Sequence, residues 1–341
     1  MANIEFGCLP TAIGGMPETN PRAACAQIVH YLRDIPAWPQ LPKRSYSENM
    51  YVQYSQGLPG VVVENEHIYV DRTQAHKDLE QFYADFLADD YNKYPVGAEY
   101  AAGLHTFLSW ENLSPWAVKG QVTGPVTLGM MMTDENRKAI IYDDVLGDTI
   151  PKLLKLKASW QEKVLSQLSK RTIIFVDEPY MSAFGSVGMM LSEETVIGLI
   201  NDVLSSINGV KGIHCCGNTD WAILLKTNTD ILSFDTYNYA QSLALYPAEV
   251  KKFLGKGGAI AWGIVPNETE NLANETVASL KDRLEEAMTP FTREGVPFKQ
   301  LVRQGLLTPS CQIASLETEE AAGQALELLA ELSADIRKRY L

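Results

Sequence analysis

The sequence of 341 residues predicts an α/β protein, a (β/α)8 TIM barrel with an N-terminal extension that contains a β-hairpin. From residue 116 onwards, short runs rich in β-branched residues alternate with longer amphipathic stretches. This alternation is typical of parallel strands joined by right-handed helical crossovers. A doubly wound sheet of the dinucleotide-binding kind would carry a G-x-G-x-x-G motif after an early strand, and the sequence contains none. The barrel is therefore favoured over the doubly wound sheet.

The predicted strands and helices of the barrel follow one another regularly. Strands are predicted at 117–122, 172–176, 210–214, 231–234, 259–264 and 306–308. Helices are predicted at 137–169, 192–207, 219–227, 246–254, 270–288 and 317–338. A first strand near Cys8–Ile13 and one more strand within residues 50–115 would complete the set of eight that a closed barrel needs.

The N-terminal part of the chain is less regular. We treat residues 1–341 as one domain, in which residues 1–115 form an irregular N-terminal part and the remainder forms the regular β/α units. Helices are predicted at 21–33 and 73–90, because apolar residues recur there at three- and four-residue spacing. Two β-branched runs within residues 61–70 flank a polar turn and predict the hairpin.

Charge and composition exclude several classes of protein. The chain has 42 acidic and 29 basic side chains and a net charge of −13, which argues against a nucleic-acid binder and against an anionic membrane surface. It has no run of 18 apolar residues, and the segment Met1–Phe6 lacks the basic and apolar parts of a signal peptide. With only five cysteines, we expect a reducing, cytoplasmic location, where clustered Cys and His serve in catalysis or metal binding.

His214 and Cys216 form the sharpest local pattern in the sequence. They are two residues apart on a predicted strand end, so both side chains point to the same face. Imidazole and thiolate are good zinc ligands, and Cys311 follows another predicted strand whose end opens at the same barrel mouth. Three such ligands give the open coordination of a catalytic zinc site. The alternative is that both cysteines are small buried apolar residues and that His214 is a hydrogen-bonded core histidine.

Three acids also follow predicted strands. Asp177 and Glu178 precede a proline at a strand end, where they could hold a cationic group such as a substrate amine, or form a helix cap beside a solvated acid. Asp235 could complete a zinc shell or hydrogen-bond the imidazole of His214. Asp177 and Asp235 are the candidate catalytic acids, and Asp177 and Glu178 are candidate substrate-binding residues.

A glycine-rich turn follows the first predicted strand. Ile13, Gly14 and Gly15 end a short apolar run and open into this turn, which can present backbone amides to a ligand. These three residues are therefore candidate substrate-binding residues.

The sequence resembles a known superfamily, which comprises cobalamin-independent methionine synthase, the zinc methyltransferases that methylate coenzyme M, and uroporphyrinogen decarboxylase. Five segments carry the resemblance in the order that the family has them. They match its I-G-S-x-P-x-T opening, its G-P-V-T segment, its D-E-P strand end, its zinc H-x-C-G and its distal cysteine. In this chain they are Pro10–Thr19, Gly120–Leu128, Asp177–Pro179, His214–Asn218 and Ser310–Cys311.

The resemblance implies roles for the candidate residues. By it, His214, Cys216 and Cys311 are zinc ligands of the catalytic-core domain of a methionine-synthase-like enzyme. Asp177 would hold the amino group of an acceptor such as homocysteine, which would connect the chain with methionine biosynthesis. Asp235 lies near the position at which methionine synthase supplies a glutamate ligand, so a ligand role and a supporting role both stay open.

The resemblance also bears on the methyl donor and on partners. Gly15 stands where the family has a serine, which weakens the case for an ordinary contact to the homocysteine carboxylate. Full-length methionine synthase carries an additional N-terminal barrel, so we expect a methylcorrinoid, free or on a corrinoid protein, to be favoured over a methylfolate donor. The family's barrels are compatible with a homodimer.

The expected activity is a zinc-dependent S-methyltransferase. A coordinated thiol loses its proton, and the zinc thiolate of the small thiol substrate then attacks the methyl group. Two alternatives share the fold. One is a metal-free lyase of the uroporphyrinogen decarboxylase type, which would need arginines for a substrate with many carboxylates. The other is a non-catalytic barrel that binds a corrinoid or a thiol. The sequence does not identify the thiol.

Overall fold

The computed structural model describes residues 4–341, so Met1–Asn3 of the N-terminal segment considered above lie outside the described residues. Nine strands form within that range: β1 (Leu9–Pro10), β2 (Val61–Glu64), β3 (His67–Val70), β4 (Val118–Thr123), β5 (Thr172–Asp177), β6 (Val210–Cys215), β7 (Ile231–Phe234), β8 (Ala259–Val265) and β9 (Gly305–Pro309).

Fourteen α-helices form within the same described range. They are α1 (Pro21–Tyr31), α2 (Met50–Ser55), α3 (Arg72–Leu87), α4 (Ala102–Leu108), α5 (Pro125–Met131), α6 (Leu146–Leu165), α7 (Glu193–Leu204), α8 (Trp221–Lys226), α9 (Thr236–Leu243), α10 (Pro247–Gly255), α11 (Thr269–Ala273), α12 (Val277–Arg293), α13 (Phe298–Arg303) and α14 (Glu319–Tyr340). None of these helices combines the length and the apolar character needed to cross a bilayer.

Seven strands form one curved parallel sheet in the order β1-β9-β8-β7-β6-β5-β4. An extended segment, Pro36–Gln40, fills the gap between the two ends of this sheet. On one side the Lys119 amide of β4 donates to the Pro36 carbonyl at 2.9 Å, and on the other the Gln40 amide donates to the Gly14 carbonyl at 2.9 Å. With this eighth position filled, the predicted barrel is confirmed.

The location of the eighth strand position was predicted wrongly. It lies at Pro36–Gln40 and not within residues 50–115. Proline has no backbone N–H, so Pro36 and Pro39 cannot donate to a strand ladder. The segment therefore pairs at a few positions only and lacks the β-branched run by which strands are recognised in a sequence.

Most other predicted elements are confirmed to within a few residues. The helix predicted at 137–169 is shorter, because α6 begins only at Leu146 after a turn in which Thr133 pairs with Ala139. The helix predicted at 270–288 is divided into α11 and α12, and the Thr276 side chain caps the second of these. The hairpin forms from β2 and β3, with positive φ at Asn65 and Glu66 in its two-residue turn.

The barrel interior changes from apolar to polar towards the carboxyl ends of the strands. At the amino ends, buried side chains such as Ile173, Ile231 and Leu306 belong to one apolar cluster. Lys119, which pairs with Ile173 in the sheet, is fully buried, and its Nζ donates to the Ile13 carbonyl at 2.9 Å and lies 4.3 Å from the Phe175 ring centroid. The polar end of the interior is where ligands bind in barrels of this kind.

A second buried lysine makes the stability of the protein depend on pH. Lys157 of α6 is fully buried, its Nζ donates to the Pro95 carbonyl at 3.2 Å, and burial lowers its pKa from 10.5 to about 7. Between these two values the unfolded chain binds more protons than the folded one, so the free energy of unfolding rises with pH. We expect wild type to gain stability relative to Lys157→Met between pH 7.5 and 9.5, by at most about 1.4 kcal/mol per pH unit.

Urea denaturation at a series of pH values measures this difference. Lys163→Met on the exposed side of the same helix is the matched control and should show no such trend. If the difference in the free energy of unfolding between wild type and Lys157→Met stayed constant from pH 7.5 to 9.5, Lys157 would not have the lowered pKa of a buried amine.

Candidate functional site

A cavity of about 180 Å³ opens at the carboxyl ends of the barrel strands. One wall is the turn that contains Ile13 and Gly15, and the opposite wall contains His214 and Cys216 at the end of β6. A third side consists of residues 40–51, which begin at the end of the eighth strand position. The cavity therefore lies where the sequence predicted the chemistry.

The His214, Cys216 and Cys311 side chains meet in this cavity. One ligand atom from each lies within 4.8 Å of the other two. His214 belongs to β6, whereas Cys311 follows β9, and β7 and β8 separate these strands in the sheet. Curvature of the sheet thus brings together donors that are far apart in the sequence. One imidazole and two thiol sulfurs with an open side match the donor set of a catalytic zinc site.

The surroundings of His214 fit a metal ligand. Its Nδ1 is 2.9 Å from the Ser233 hydroxyl, which lies at the paired position on β7. Its Nε2 is buried and has no hydrogen-bond partner among the described residues. A ring held through one nitrogen, with the other nitrogen free, is the usual arrangement of a ligating histidine. The alternative of a hydrogen-bonded core histidine leaves Nε2 unexplained.

The two sulfurs have different acidities. A hydrogen bond from the Cys311 thiol, with His214 nearby, lowers the pKa of Cys216 below its usual range, while the same sulfur pair raises the pKa of Cys311. A thiolate is the form of cysteine that binds metals, so a lowered pKa favours the ligating form of Cys216. Cys215 lies on the opposite side of the strand in the apolar core, as expected from strand alternation.

Asp177 ends β5 beside His214 and faces the cavity. The residue is buried, and its Oδ1 has no hydrogen-bond partner within residues 4–341. Burial raises the pKa of Asp177 above its usual range, although the positive charge of Lys119 opposes this. A buried carboxylate oxygen without a partner at a cavity wall can receive a cationic group such as an amine.

Glu178 points away from the cavity. Its carboxylate accepts hydrogen bonds from the Val126 amide at 2.9 Å and from the Thr127 amide and hydroxyl at 2.8 and 2.6 Å. Gly124 leaves room for it, since any side chain there would overlap the carboxylate. The structure therefore does not bring Glu178 to the substrate side. It is fully buried, so the alternative of a solvated acid was wrong, and it joins β5 to α5.

Asp235 also lies outside the group of potential metal ligands. Its Oδ1 accepts from the Asn238 amide at 2.9 Å and its Oδ2 from the Asn238 side chain at 2.8 Å, so the carboxylate caps α9. Burial raises the pKa of Asp235 to about 6. The imidazole of His214 is held by Ser233 and not by Asp235, so that part of the prediction was wrong.

Ile13 and Gly15, two of the three candidate substrate-binding residues of this turn, contribute to the cavity wall. Gly14 lies between them with φ of +148°, a backbone conformation that favours glycine. Its carbonyl accepts from Gln40, and a side chain on Gly14 would come within 2.7 Å of the Gln40 side chain. The turn is therefore packed tightly against the eighth strand position.

Sequence reasoning missed several residues of the cavity. Gln40 lines it from the end of the unrecognised eighth strand position, Glu48 and Tyr51 line it from the segment that follows, and Gln312 lines it beside Cys311. Only Gln312 had a usable signal, because it directly follows a candidate ligand. The others required knowledge of where Pro36–Gln40 runs.

No protein-family model matches the chain, and no curated protein sequence matches it. The chain is similar in structure to a candidate vitamin-B12-independent methionine synthase from Listeria monocytogenes, with a TM-score of 0.58, 17% identity, and 93% of this chain and 86% of that chain covered. It is also similar to a methyltransferase from Methanosarcina mazei, with a TM-score of 0.53, 14% identity, and 93% and 86% covered.

A third similar structure is a B12-independent methionine synthase from a Shewanella species, with a TM-score of 0.44 and 16% identity. That alignment covers 65% of this chain and 62% of the other, so the match spans less than two thirds of that chain's length. The two higher-scoring matches establish that the chain has the barrel fold of methionine-synthase-like and methyltransferase structures. This is the fold that the sequence resemblance implied.

Proposed function

We propose that the protein is a zinc-dependent methyltransferase that moves a methyl group to a small thiol of the homocysteine type. The observation that carries the proposal is the convergence of His214, Cys216 and Cys311 within 4.8 Å of one another in a small cavity. Asp177, with an unpartnered carboxylate oxygen, faces the same cavity. The arrangement offers one place for a sulfur and another for an amine.

The side chains of this site would have three roles, which are metal binding, orientation of a metal ligand and binding of the substrate amine. His214, Cys216 and Cys311 would hold the ion, which when bound supplies the acidity that converts a substrate thiol to the nucleophilic thiolate at neutral pH. Ser233 keeps the imidazole in its orientation through the 2.9 Å contact to Nδ1. Asp177 would receive the substrate amine. Positioning of this kind can lower a reaction barrier by roughly 7–11 kcal/mol at best.

The size of the cavity bears on the methyl donor. Pockets for drug-sized molecules have volumes of about 300–1,000 Å³, whereas this cavity measures about 180 Å³. It suits a small thiol, so a corrinoid or a folate would approach from the mouth without entering. We propose a methylcorrinoid, free or carried by a partner protein, as the donor.

The charge of the cavity disfavours the lyase alternative. Its wall carries the carboxylates of Glu48 and Asp177, and no lysine or arginine is among the described residues that line it. A substrate with many carboxylates would need cations there. A metal-free decarboxylase is therefore not supported by the site.

The proposal is tested with zinc-loaded protein, homocysteine and methylcobalamin, and formation of methionine is measured. We expect methylation of homocysteine and a much lower rate with methyltetrahydrofolate. Coenzyme M has no amine for the Asp177 carboxylate to receive, so we expect it to be a poor acceptor. Zinc-loaded protein that binds homocysteine but transfers no methyl group from either donor would contradict the proposed activity.

A further inference from the structure

We propose that Gln312 contacts the substrate and selects thiols that carry a carboxylate, and that residue 15 is a glycine because Gln312 fills the space beside it. The inference rests on the proposed function and deepens it, since it concerns which thiol the same cavity accepts. It is carried by packing around Gly15, by the free amide of Gln312 and by the charges of the cavity wall.

Space, and not backbone conformation, requires glycine at position 15. Gly15 does not have the positive φ of its neighbour Gly14. A Cβ built on Gly15 would lie 2.9 Å from the Gln312 Cβ and closer still to the Gln312 Oε1. Real Cβ atoms essentially never approach so closely, because packed interiors leave no room for such overlap. A side chain at position 15 and the observed position of Gln312 therefore exclude each other.

Gln312 has a fixed backbone and an available side chain. Its carbonyl accepts from the Asn267 side chain at 3.2 Å and from the Ser315 hydroxyl at 3.1 Å. Its own amide forms no hydrogen bond with any residue that the structure describes. The other glutamine of the cavity wall, Gln40, is already engaged, because its Nε2 donates to Gln53 at 2.7 Å. Gln312 is thus the glutamine of the wall that can bind a ligand.

The charges of the cavity determine which ligand group Gln312 would meet. Asp177 and Glu48 each have a buried carboxylate oxygen without a partner among the described residues, and the other Glu48 oxygen is paired with Arg44 at 2.7 Å, so Asp177 is the acid of the wall that has no cationic partner within salt-bridge distance. Since no lysine or arginine is among the described residues that line the wall, a substrate carboxylate would be received by neutral N–H donors. A primary amide provides two of them. An amino-acid thiol would then be held at three points, by sulfur, amine and carboxylate.

The test compares homocysteine with homocysteamine, the same aminothiol without its carboxylate. In zinc-loaded Gln312→Ala we expect KM and the dissociation constant for homocysteine to rise about tenfold, which corresponds to about 1.4 kcal/mol, with kcat nearly unchanged. The values for homocysteamine should not change. Gln312→Glu, a side chain of nearly the same size, should weaken homocysteine binding further, because its carboxylate repels the substrate carboxylate. Gln312 is exposed, so both variants should fold. Their zinc content shows whether the metal site at the neighbouring Cys311 is intact.

A double-mutant cycle tests the role of Gly15. Gly15→Ser alone should displace Gln312 and weaken homocysteine binding. Gly15→Ser combined with Gln312→Gly, which removes the Cβ of residue 312 as well as its amide, should weaken binding by less than the sum of the two single changes, because the serine then has space. Additive changes in the free energy of homocysteine binding would overturn the inference. Equal losses of affinity for homocysteine and homocysteamine would overturn it as well.

Binding by calorimetry separates the inference from the proposed activity. Wild type that binds homocysteine without methyl transfer, together with a selective loss of binding in Gln312→Ala, would reject the activity and retain the role of Gln312. Active wild type with unchanged homocysteine affinity in Gln312→Ala would reject only the inference. Wild type that does not bind homocysteine would reject both.

Discussion

Replacement of Cys311 by alanine is expected to abolish stoichiometric zinc binding. Wild type purified without added metal should contain about one zinc per chain, as a site with three protein ligands and an open position does. Loss of even an indirect partner of a metal ligand typically lowers affinity by about 10–100-fold, so removal of a ligand should lower it by more than about 100-fold. Metal analysis and competition with a chelator measure the change.

Cys215→Ala is the matched control for this experiment. Cys215 is adjacent to Cys216 but is buried in the core on the other side of the strand, so its folded variant should retain zinc. Unchanged zinc content and activity in Cys311→Ala would refute the metal centre. Absence of zinc from wild type would return the two cysteines and His214 to purely structural roles.

The second large effect is expected at the adjacent acids Asp177 and Glu178, of which the first should affect substrate affinity and the second should affect stability. Glu178→Gln should lower the free energy of unfolding by about 2–3 kcal/mol, because an amide NH₂ would face N–H donors of Val126 and Thr127 that now have a carboxylate acceptor. Asp177→Asn should cost less stability, since its Oδ1 has no hydrogen bond to lose. Its expected effect is a loss of aminothiol affinity of roughly 10–100-fold, the worth of a charge-assisted hydrogen bond.

Each of the two variants serves as the control for the other. Urea denaturation and thiol binding are measured on both, with a thiol that lacks an amine as the reference ligand. If Glu178→Gln weakened aminothiol binding as much as Asp177→Asn did, Glu178 would have to contact the substrate, contrary to its position beside Val126 and Thr127. If neither variant changed affinity, Asp177 would not be the amine site.

Local patterns in the sequence were sufficient for most of the barrel. The β-branched runs and amphipathic stretches that predicted β4 to β9 reflect side-chain periodicity, which each segment carries by itself. Pro36–Gln40 escaped recognition because its prolines remove ladder donors and its pairing depends on both ends of the curved sheet. The same omission concealed Gln40, Glu48 and Tyr51, whose places follow from that segment.

The candidate site divides in a similar way. The donor types at His214, Cys216 and Cys311, and their positions at strand ends, could be read from the sequence because they depend on residue chemistry and local spacing. Only the closed barrel decided that β6 and β9 bring these donors within 4.8 Å. Only packing decided that Asp177 faces the cavity while the Glu178 carboxylate accepts hydrogen bonds from α5. Packing also decided that Gln312 occupies the space beside Gly15. Such choices depend on neighbours remote in the sequence, so no local pattern contains them.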